Sequence, residues 1–366
     1  MMKRREFFKS ASVAAIGAAA ATTLATPAIA QGTINWRMVT TWPKNFPGLG
    51  VGAQNLADRI TNASGGRLNV QVFAAGEMVP GLQALDAVID GSAEMSHGTP
   101  YYWQNKSQGL SFFTGVPYGM TSRELTAWVR YLGGQQIWDK IYDQFGLQGF
   151  LSGDTGTQAG GWFRNELTGV ADLQGLRFRT PGLGGQVWSK LGASVTNLAA
   201  GEIFAALQSG TLDAAEFVGP YNDLALGFYQ IAKNYYFPSF VEPGLATEVA
   251  VSKTKYQELP TDLQEIVKVC AQASYDDVAS DMYANDPRAL NALVNEHGVQ
   301  VRRFPEEILE AGAKASMELI AEIREGGDAL TKETAESFIS AFNLLRTRTE
   351  GTDMPYLAAR EKYIKY

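Results

Sequence analysis

The 366-residue sequence predicts an α/β protein built as two lobes, and three observations predict it. A chain of this length exceeds what one hydrophobic core ordinarily organises, and 45% hydrophobic with 19% charged residues is the composition of a folded chain. Strand, helix and strand follow one another between Ile34 and Val72 at the spacing of a βαβ unit, which implies parallel pairing. A segment made of an amphipathic helix, a glycine stop, a Ser or Thr, an acid and a small-residue strand occurs twice, at 82–97 and 202–217. Aligning its glycines, Gly91 and Gly210, sets His97 opposite Glu216.

The elements follow in order. Lys3-Arg-Arg-Glu-Phe-Phe-Lys9, an alanine-rich run from Ala11 to Ala25, and Pro27-Ala-Ile-Ala30 form a cleavable signal over 1–30, cut before Gln31. The paired arginines resemble a twin-arginine signal, which exports folded chains; an ordinary Sec signal is the alternative. Cleavage removes four positive charges and one negative, taking the net charge from −7 to −10 and arguing against a nucleic-acid partner. No later stretch is long and apolar enough to span a bilayer, so the mature chain is expected free outside the cytoplasm. The single cysteine, Cys270, allows no internal disulfide and reads as core at helical spacing from Ile266, Val267 and Ala273.

Ile34 to Thr41 and Leu68 to Val72 alternate as strands around a helix over Gly48–Ser64 that Gly65-Gly66 ends. A helix through Leu82, Leu85 and Val88 leads into a short strand at Met95-Ser-His-Gly98. Gly149 to Gly153 and Gly160 to Phe163 read as strands, the helix from Glu202 leads into Ala214-Ala-Glu-Phe217, and Leu245 to Ser252 is a further strand. Beyond Leu259 the chain turns helical, with Pro287 expected to interrupt or restart the helix. Val299 and Val301 give a strand, and long helices are expected from Pro305 and over Thr331–Arg346.

The chemistry-bearing residues are few. Two histidines, His97 and His297, one cysteine and no Cys-x-x-Cys, His-Glu-x-x-His or Gly-x-Ser-x-Gly leave transition-metal, thiol and triad chemistry poorly supplied. Gly175-Leu-Arg-Phe-Arg-Thr-Pro-Gly182 is more telling. Leu176, Phe178 and Thr180 share one strand face and Arg177 and Arg179 the other, so the pair is either a solvated face or a fixed guanidinium for a carboxylate near a strand end. Aromatic residues recur after strands, at Tyr101-Tyr-Trp103, Trp162-Phe163, Phe217, Tyr221 and Tyr235-Tyr-Phe237, as in the walls of small-molecule pockets. Glu216 follows two alanines. It is either exposed past the strand end or buried facing a hard cation, for which Gln158, Glu242 and the Phe217 carbonyl supply further oxygens.

Ala75-Gly-Glu-Met-Val-Pro-Gly81, Asp172-Leu-Gln-Gly-Leu-Arg-Phe-Arg179, Gly210-Thr-Leu-Asp-Ala-Ala-Glu216 and Glu258-Leu-Pro260, in that order, resemble the DctP-type periplasmic solute-binding subunits of TRAP transporters. The likeness runs from Trp36 to the last long helix. Gly153-Asp-Thr-Gly-Thr-Gln-Ala-Gly-Gly-Trp-Phe-Arg164 and Ala215-Glu-Phe-Val-Gly-Pro-Tyr-Asn222 are similar to the subgroup that binds 2-oxo acids and related monocarboxylates with a metal ion.

The resemblance implies a two-lobed periplasmic binding protein with its ligand cleft between the lobes. Lobe I would take 33–155 and about 243–280, lobe II 156–242 and about 281–350, with additional C-terminal helices over about 328–366. It implies Arg179 as carboxylate anchor, Gln158 touching ligand and cation, Tyr102 as a substrate contact, and Glu216, Phe217 and, further off, Glu242 as ligands of a sodium or calcium ion. Phe217 departs from the tryptophan expected there, which reshapes the pocket. The function implied is capture of a small monocarboxylate for membrane transporter subunits, without catalysis, in a protein whose C-terminal helices resemble those through which some members form homodimers. The rivals are a binding protein for a dicarboxylate or aromatic acid, an exported redox enzyme, and a lyase or hydrolase using Glu216 as base.

Overall fold

The computed structural model describes residues 32–365; the signal expected over 1–30 lies outside them. Eleven strands are described: β1 (Ile34–Thr40), β2 (Leu68–Phe73), β3 (Met95–Gly98), β4 (Leu147–Asp154), β5 (Gly161–Phe163), β6 (Arg177–Arg179), β7 (Ser194–Thr196), β8 (Ala214–Ala215), β9 (Asn234–Phe237), β10 (Ala246–Ser252) and β11 (Gln300–Arg303). They form two sheets, ordered β2-β1-β3-β10-β4 and β11-β9-β5-β8-β6-β7.

In the first sheet β1 pairs in parallel with β2 and β3, as the βαβ spacing requires. The crossover helix Leu49–Ala63 lays Leu56, Ala57 and Ile60 on the sheet and stops where Gly65 and Gly66 take positive φ, a turn open to glycine at little cost. Both faces of β1 are covered, so Met38 and Val39 are both buried.

The second sheet repeats the first. Setting β11 aside, β7-β6-β8-β5-β9 matches β2-β1-β3-β10-β4 strand for strand, with the same parallel and antiparallel pairings. The backbone after each glycine stop repeats too: Ala93 N donates to Ala87 O at 2.8 Å and Leu212 N to Ala206 O at 3.0 Å. Each copy carries an arginine forked onto the acid of that segment, Arg37 on Glu94 and Arg177 on Asp213. His97 and Glu216 thus occupy corresponding positions, as the aligned glycines predict.

The chain passes from β4 to β5 through residues 155–160 and returns from β9 to β10 through 238–245. These two crossings are bonded to each other: Thr155 N to Leu245 O (3.0 Å), Gln158 N to Glu242 O (3.1 Å) and Ser239 N to Gln158 O (2.9 Å). The helix Thr261–Asn295 then runs from the first sheet to β11 in the second. It is continuous through Pro287, contrary to the expected interruption. The N–H that Pro287 lacks would have bonded the Tyr283 carbonyl, and Tyr283 is 82% exposed, on a face where water replaces it.

Sequence reading assigned no elements between Trp103 and Leu147, where helices Ser122–Tyr131 and Gly134–Asp143 close over Phe113, stacked at 4.9 Å on Trp128 and 5.1 Å on Trp138. Helix Ala329–Arg348, capped by Asp328, packs on this group through Phe338, edge-on to Phe112 and Trp128. Helix Met354–Tyr363 follows with every residue exposed.

One acid is enclosed in the first core. Glu248 on β10 accepts from Trp103 Nε1 (2.7 Å) and Tyr142 OH (2.6 Å), and burial raises its pKa to about 7 against the pull of those bonds. A carboxyl raised on folding contributes stability that is complete below its unfolded value and lost as pH rises through the folded one. Urea unfolding midpoints are therefore expected to fall from pH 5 to pH 8, and Glu248→Gln to flatten that fall; parallel slopes would contradict the assignment.

Candidate functional site

The site is assembled where strand ends of the second sheet meet the crossings and the first lobe. On β6, Phe178 turns into the core against Trp188 at 4.9 Å, and the two arginines take the other face, as the alternation predicts. Their environments differ. Arg177 is half-exposed and spent on Asp213; Arg179, one pitch further along, is 0% exposed.

Three groups hold the Arg179 guanidinium. Nε donates to Leu198 O (3.1 Å) and Nη1 to Glu216 O (2.6 Å), while Nη2 has only Tyr102 OH, at 3.4 Å. The remaining hydrogens therefore point on the Tyr102 side. The Phe217 ring lies 5.2 Å from the guanidinium carbon, a cation–π contact. Tyr102 stacks on Tyr101 at 4.8 Å, and Tyr101 sits so close to Gly182 that a Cβ there would run into its ring. Gly182 also has φ +61°, so the turn after β6 admits glycine on two counts.

Glu216 is 1% exposed, which removes the exposed alternative. Its N–H donates to Arg179 O (2.9 Å), continuing the β6–β8 ladder one residue past β8, and its Oε2 stands 3.7 Å from Arg179 Nη1. That ion pair does not offset the loss of water: burial pushes the Glu216 pKa up to about 8, with Asp223 adding to it. Glu242, also buried, is raised well above the carboxylate range by burial and by the Glu216 charge, and its Oε2 is enclosed without a hydrogen-bond partner.

The Gln158 amide connects these groups. One of its two terminal atoms lies 2.7 Å from Glu216 Oε1 and 3.1 Å from Phe217 O, and the other 2.9 Å from Thr155 Oγ1. With nitrogen turned inward it donates to both oxygens. With oxygen turned inward, an amide oxygen, a carboxylate oxygen and a backbone carbonyl face one another, an arrangement that only a cation among them stabilises. Among the described residues no cluster of three or more His, Cys, Asp or Glu exists. The donor set here is instead two carboxylates, an amide and a carbonyl, all oxygen, which suits a hard cation. The orphaned Glu242 Oε2 and the raised carboxyl pKa values fit a missing positive charge.

Of the sequence-predicted residues, the structure thus brings Arg179, Glu216, Phe217, Gln158 and Tyr102 into direct contact. Glu242 joins them through the crossing, its carbonyl accepting from Gln158 N at 3.1 Å. Sequence reasoning missed Asp223, buried with its pKa raised to about 7 and bonded by Trp162 Nε1 (2.9 Å) and Tyr235 OH (2.7 Å), although Trp162 and Tyr235 stood among the strand-end aromatics. It also missed Asn222, which donates to Pro47 O of the first lobe at 2.7 Å. Asn222 ends the Ala215–Asn222 motif, but nothing there gave it a role, and no pattern marks Asp223.

His97 lies 3.0 Å from Ser152 Oγ, but the indole N–H of Trp42 donates to its Nδ1 (2.9 Å). The ring hydrogen is therefore on Nε2, facing Ser152, and burial lowers the pKa to about 3. The imidazole has no lone pair to offer the serine, and indole stands where a triad acid would. His297 stacks on Tyr229 at 4.0 Å, and Cys270 is buried as expected.

The chain matches the family described as bacterial extracellular solute-binding protein, family 7 (DctP), over residues 38–326. It is 40% identical over 341 residues, 92% of this chain and 93% of the relative, to a monocarboxylate 2-oxoacid-binding periplasmic protein of Nostoc sp.. Two crystal structures superpose on it. A TRAP periplasmic solute-binding protein from Pseudoalteromonas atlantica with bound sodium and pyruvate has a TM-score of 0.87 and 37% identity, covering 90% of this chain and 99% of that one. One from Colwellia psychrerythraea with bound calcium and pyruvate has a TM-score of 0.86 and 38% identity, covering 89% and 99%. With two matching sheets, a site between them and a family match over most of its length, the chain belongs to the DctP family of TRAP solute-binding proteins.

Proposed function

We propose that the protein captures a small monocarboxylate carrying a 2-oxo or 2-hydroxyl oxygen, such as pyruvate, together with a sodium or calcium ion. It would deliver the acid in the periplasm to the membrane subunits of a TRAP transporter. The observation that carries this reading is the Arg179 guanidinium, dry and held by two backbone carbonyls, beside the Gln158 amide and the oxygens of Glu216 and Phe217 that it meets. A guanidinium fixed in this way presents its remaining N–H groups to a carboxylate with little entropy left to lose. The relatives that bind pyruvate with sodium or with calcium support the same class of ligand.

In this reading Arg179 anchors the carboxylate and Tyr102 borders it. Gln158, Glu216, the Phe217 carbonyl and Glu242 hold the cation, which neutralises the buried carboxylates and draws the 2-oxygen of the ligand. Phe217, in place of tryptophan, leaves the wall smaller and sets the acid's length. The two sheets are taken as the two lobes, 33–155 with about 243–280 and 156–242 with about 281–350, hinged at the bonded crossings. Closure then gives the membrane subunits a shape distinct from the open form. Binding without catalysis is favoured by the tautomer of His97, which leaves Ser152 without a base.

We further read the protein as a homodimer formed through its C-terminal helices. Met354, Tyr356, Leu357, Tyr363 and Ile364 are exposed on the last turns, and a groove of about 760 Å³ lined by Met317, Ile320, Phe338 and Phe342 lies beside helix Ala329–Arg348.

Titration with pyruvate, longer 2-oxo acids, lactate and succinate, followed by tryptophan fluorescence, is expected to show saturable binding of the 2-oxo acids. Affinity should drop at least tenfold after chelation and sodium removal; no binding to any monocarboxylate would sink the proposal. Arg179→Ala should lose about 2–5 kcal/mol of binding, the cost of truncating one side of a buried charged pair. Arg177→Ala should stay within twofold of the parent, and equal losses in both would show that the anchor was misplaced. Deleting 349–366 is expected to turn a dimer into a monomer by light scattering without loss of affinity, whereas a monomeric full-length protein would refute the dimer.

A further inference from the structure

Several hydrogen bonds join the two lobes outside the crossings, among them Arg179 to Tyr102 and Gln186 to Gln104, and one of them is made by a residue outside the proposed ligand contacts and fully buried. Asn222, fully buried on helix Pro220–Leu226 of the second lobe, donates from Nδ2 to Pro47 O at 2.7 Å. Pro47 belongs to the first-lobe loop after β1. Beside this bond Phe46 meets Phe217 edge-on, with centroids 5.8 Å apart. Phe217 is the residue whose carbonyl joins the oxygen cluster and whose ring lies under Arg179.

Both partners are braced. On the loop, Trp42 is tied to β3 by its bond to His97, and Trp42 O accepts from Thr40 Oγ1 (3.1 Å) and Ala75 N (2.9 Å). Asn45 takes φ +56°, and Phe46 N returns to Pro43 O at 3.2 Å. On the other side, Asp223 is fixed by Trp162 and Tyr235, and Tyr221 N donates to Asp286 Oδ1 (2.9 Å) on the long helix. A contact between two stiff parts on opposite lobes is made or broken as a unit when the lobes move.

We propose that Asn222 and the Phe46-Pro47 corner form a latch made only on closure, and that it sets the lifetime of the closed state whichever acid is inside. Asn222 is a positioning residue in this role: it acts on the ligand through Phe46 and Phe217. Its worth is modest for a stated reason. Pro47 O also accepts from Leu49 N at 2.6 Å, so it is not orphaned when Asn222 goes, and Asn222 Oδ1 is itself buried without a partner. Loss of one such bond corresponds to about a fivefold change in an equilibrium.

The proposal takes pyruvate as its probe and to that extent rests on the binding function above. Stopped-flow tryptophan fluorescence on the full chain with sodium and calcium is expected to show Asn222→Ala releasing pyruvate about fivefold faster. Its on-rate should change by less than twofold, and the ratio of pyruvate to lactate affinity should be unaltered. Asn222→Asp, which sets a carboxylate against the Pro47 carbonyl, should release faster still, and the melting temperatures of both ligand-free variants should match the parent. An unchanged off-rate, a shifted pyruvate-to-lactate ratio or a lowered ligand-free melting temperature would overturn the latch. If the parent binds no monocarboxylate, the binding function fails separately. A structure of the ligand-free parent then decides the latch: lobes apart with the Asn222–Pro47 bond broken supports it, and lobes apart with that bond intact overturns it.

Discussion

The buried guanidinium of Arg179 is the constraint around which this structure is arranged. A cation with no exposed surface is tolerated only when its hydrogens are matched by oxygens and its charge by nearby negative groups. Leu198 O and Glu216 O meet the first need, and Glu216 and the Phe217 ring the second. The neighbourhood nevertheless carries more acid than one arginine neutralises, since Glu216 and Glu242 are both raised above the ordinary carboxylate range. In the proposed function that imbalance is what receives the cation, and the Arg179 N–H groups beside Tyr102 receive the anion.

The hinge and the site share residues. Gln158 and Glu242 are bonded backbone to backbone in the two crossings while their side chains stand at the oxygen cluster. In the proposed function, movement of one lobe against the other displaces the proposed cation ligands directly, which couples occupancy to closure without a relay.

The internal repeat explains how such a site arises from a simple fold. Each lobe has an arginine forked on an acid, Arg37–Glu94 and Arg177–Asp213, that stitches the strand to the helix–strand segment beside it. Two residues beyond each fork arginine and three beyond each fork acid the copies diverge. Val39 and His97 stand in the first lobe where Arg179 and Glu216 stand in the second. The first copy buries an apolar residue and a neutral imidazole, and the second a guanidinium and a carboxyl.

Much of this was legible in the chain itself. Alternation in Ile34–Thr41, the glycine stops at Gly65-Gly66 and Gly210, and the recurrence of helix, stop, acid and strand are local patterns, and local patterns report backbone periodicity and the side each residue faces. They placed the strands other than β7 and β9, the lobed α/β plan and the correspondence of His97 with Glu216. Arg177 and Arg179 were equally well supported as a pair, because a period of two cannot say which end of a strand is covered. The family resemblance singled out Arg179, and the packing of Tyr101-Tyr102 and the β8 end over it gives the physical difference between the two. Pro287 was read as a break because sequence cannot show that the carbonyl it leaves free faces water. Asn222 closed a quoted motif without being given a role and Asp223 followed it unmarked: the side-chain partners Pro47, Trp162 and Tyr235 stand 12 to 175 positions away, brought near by tertiary folding alone.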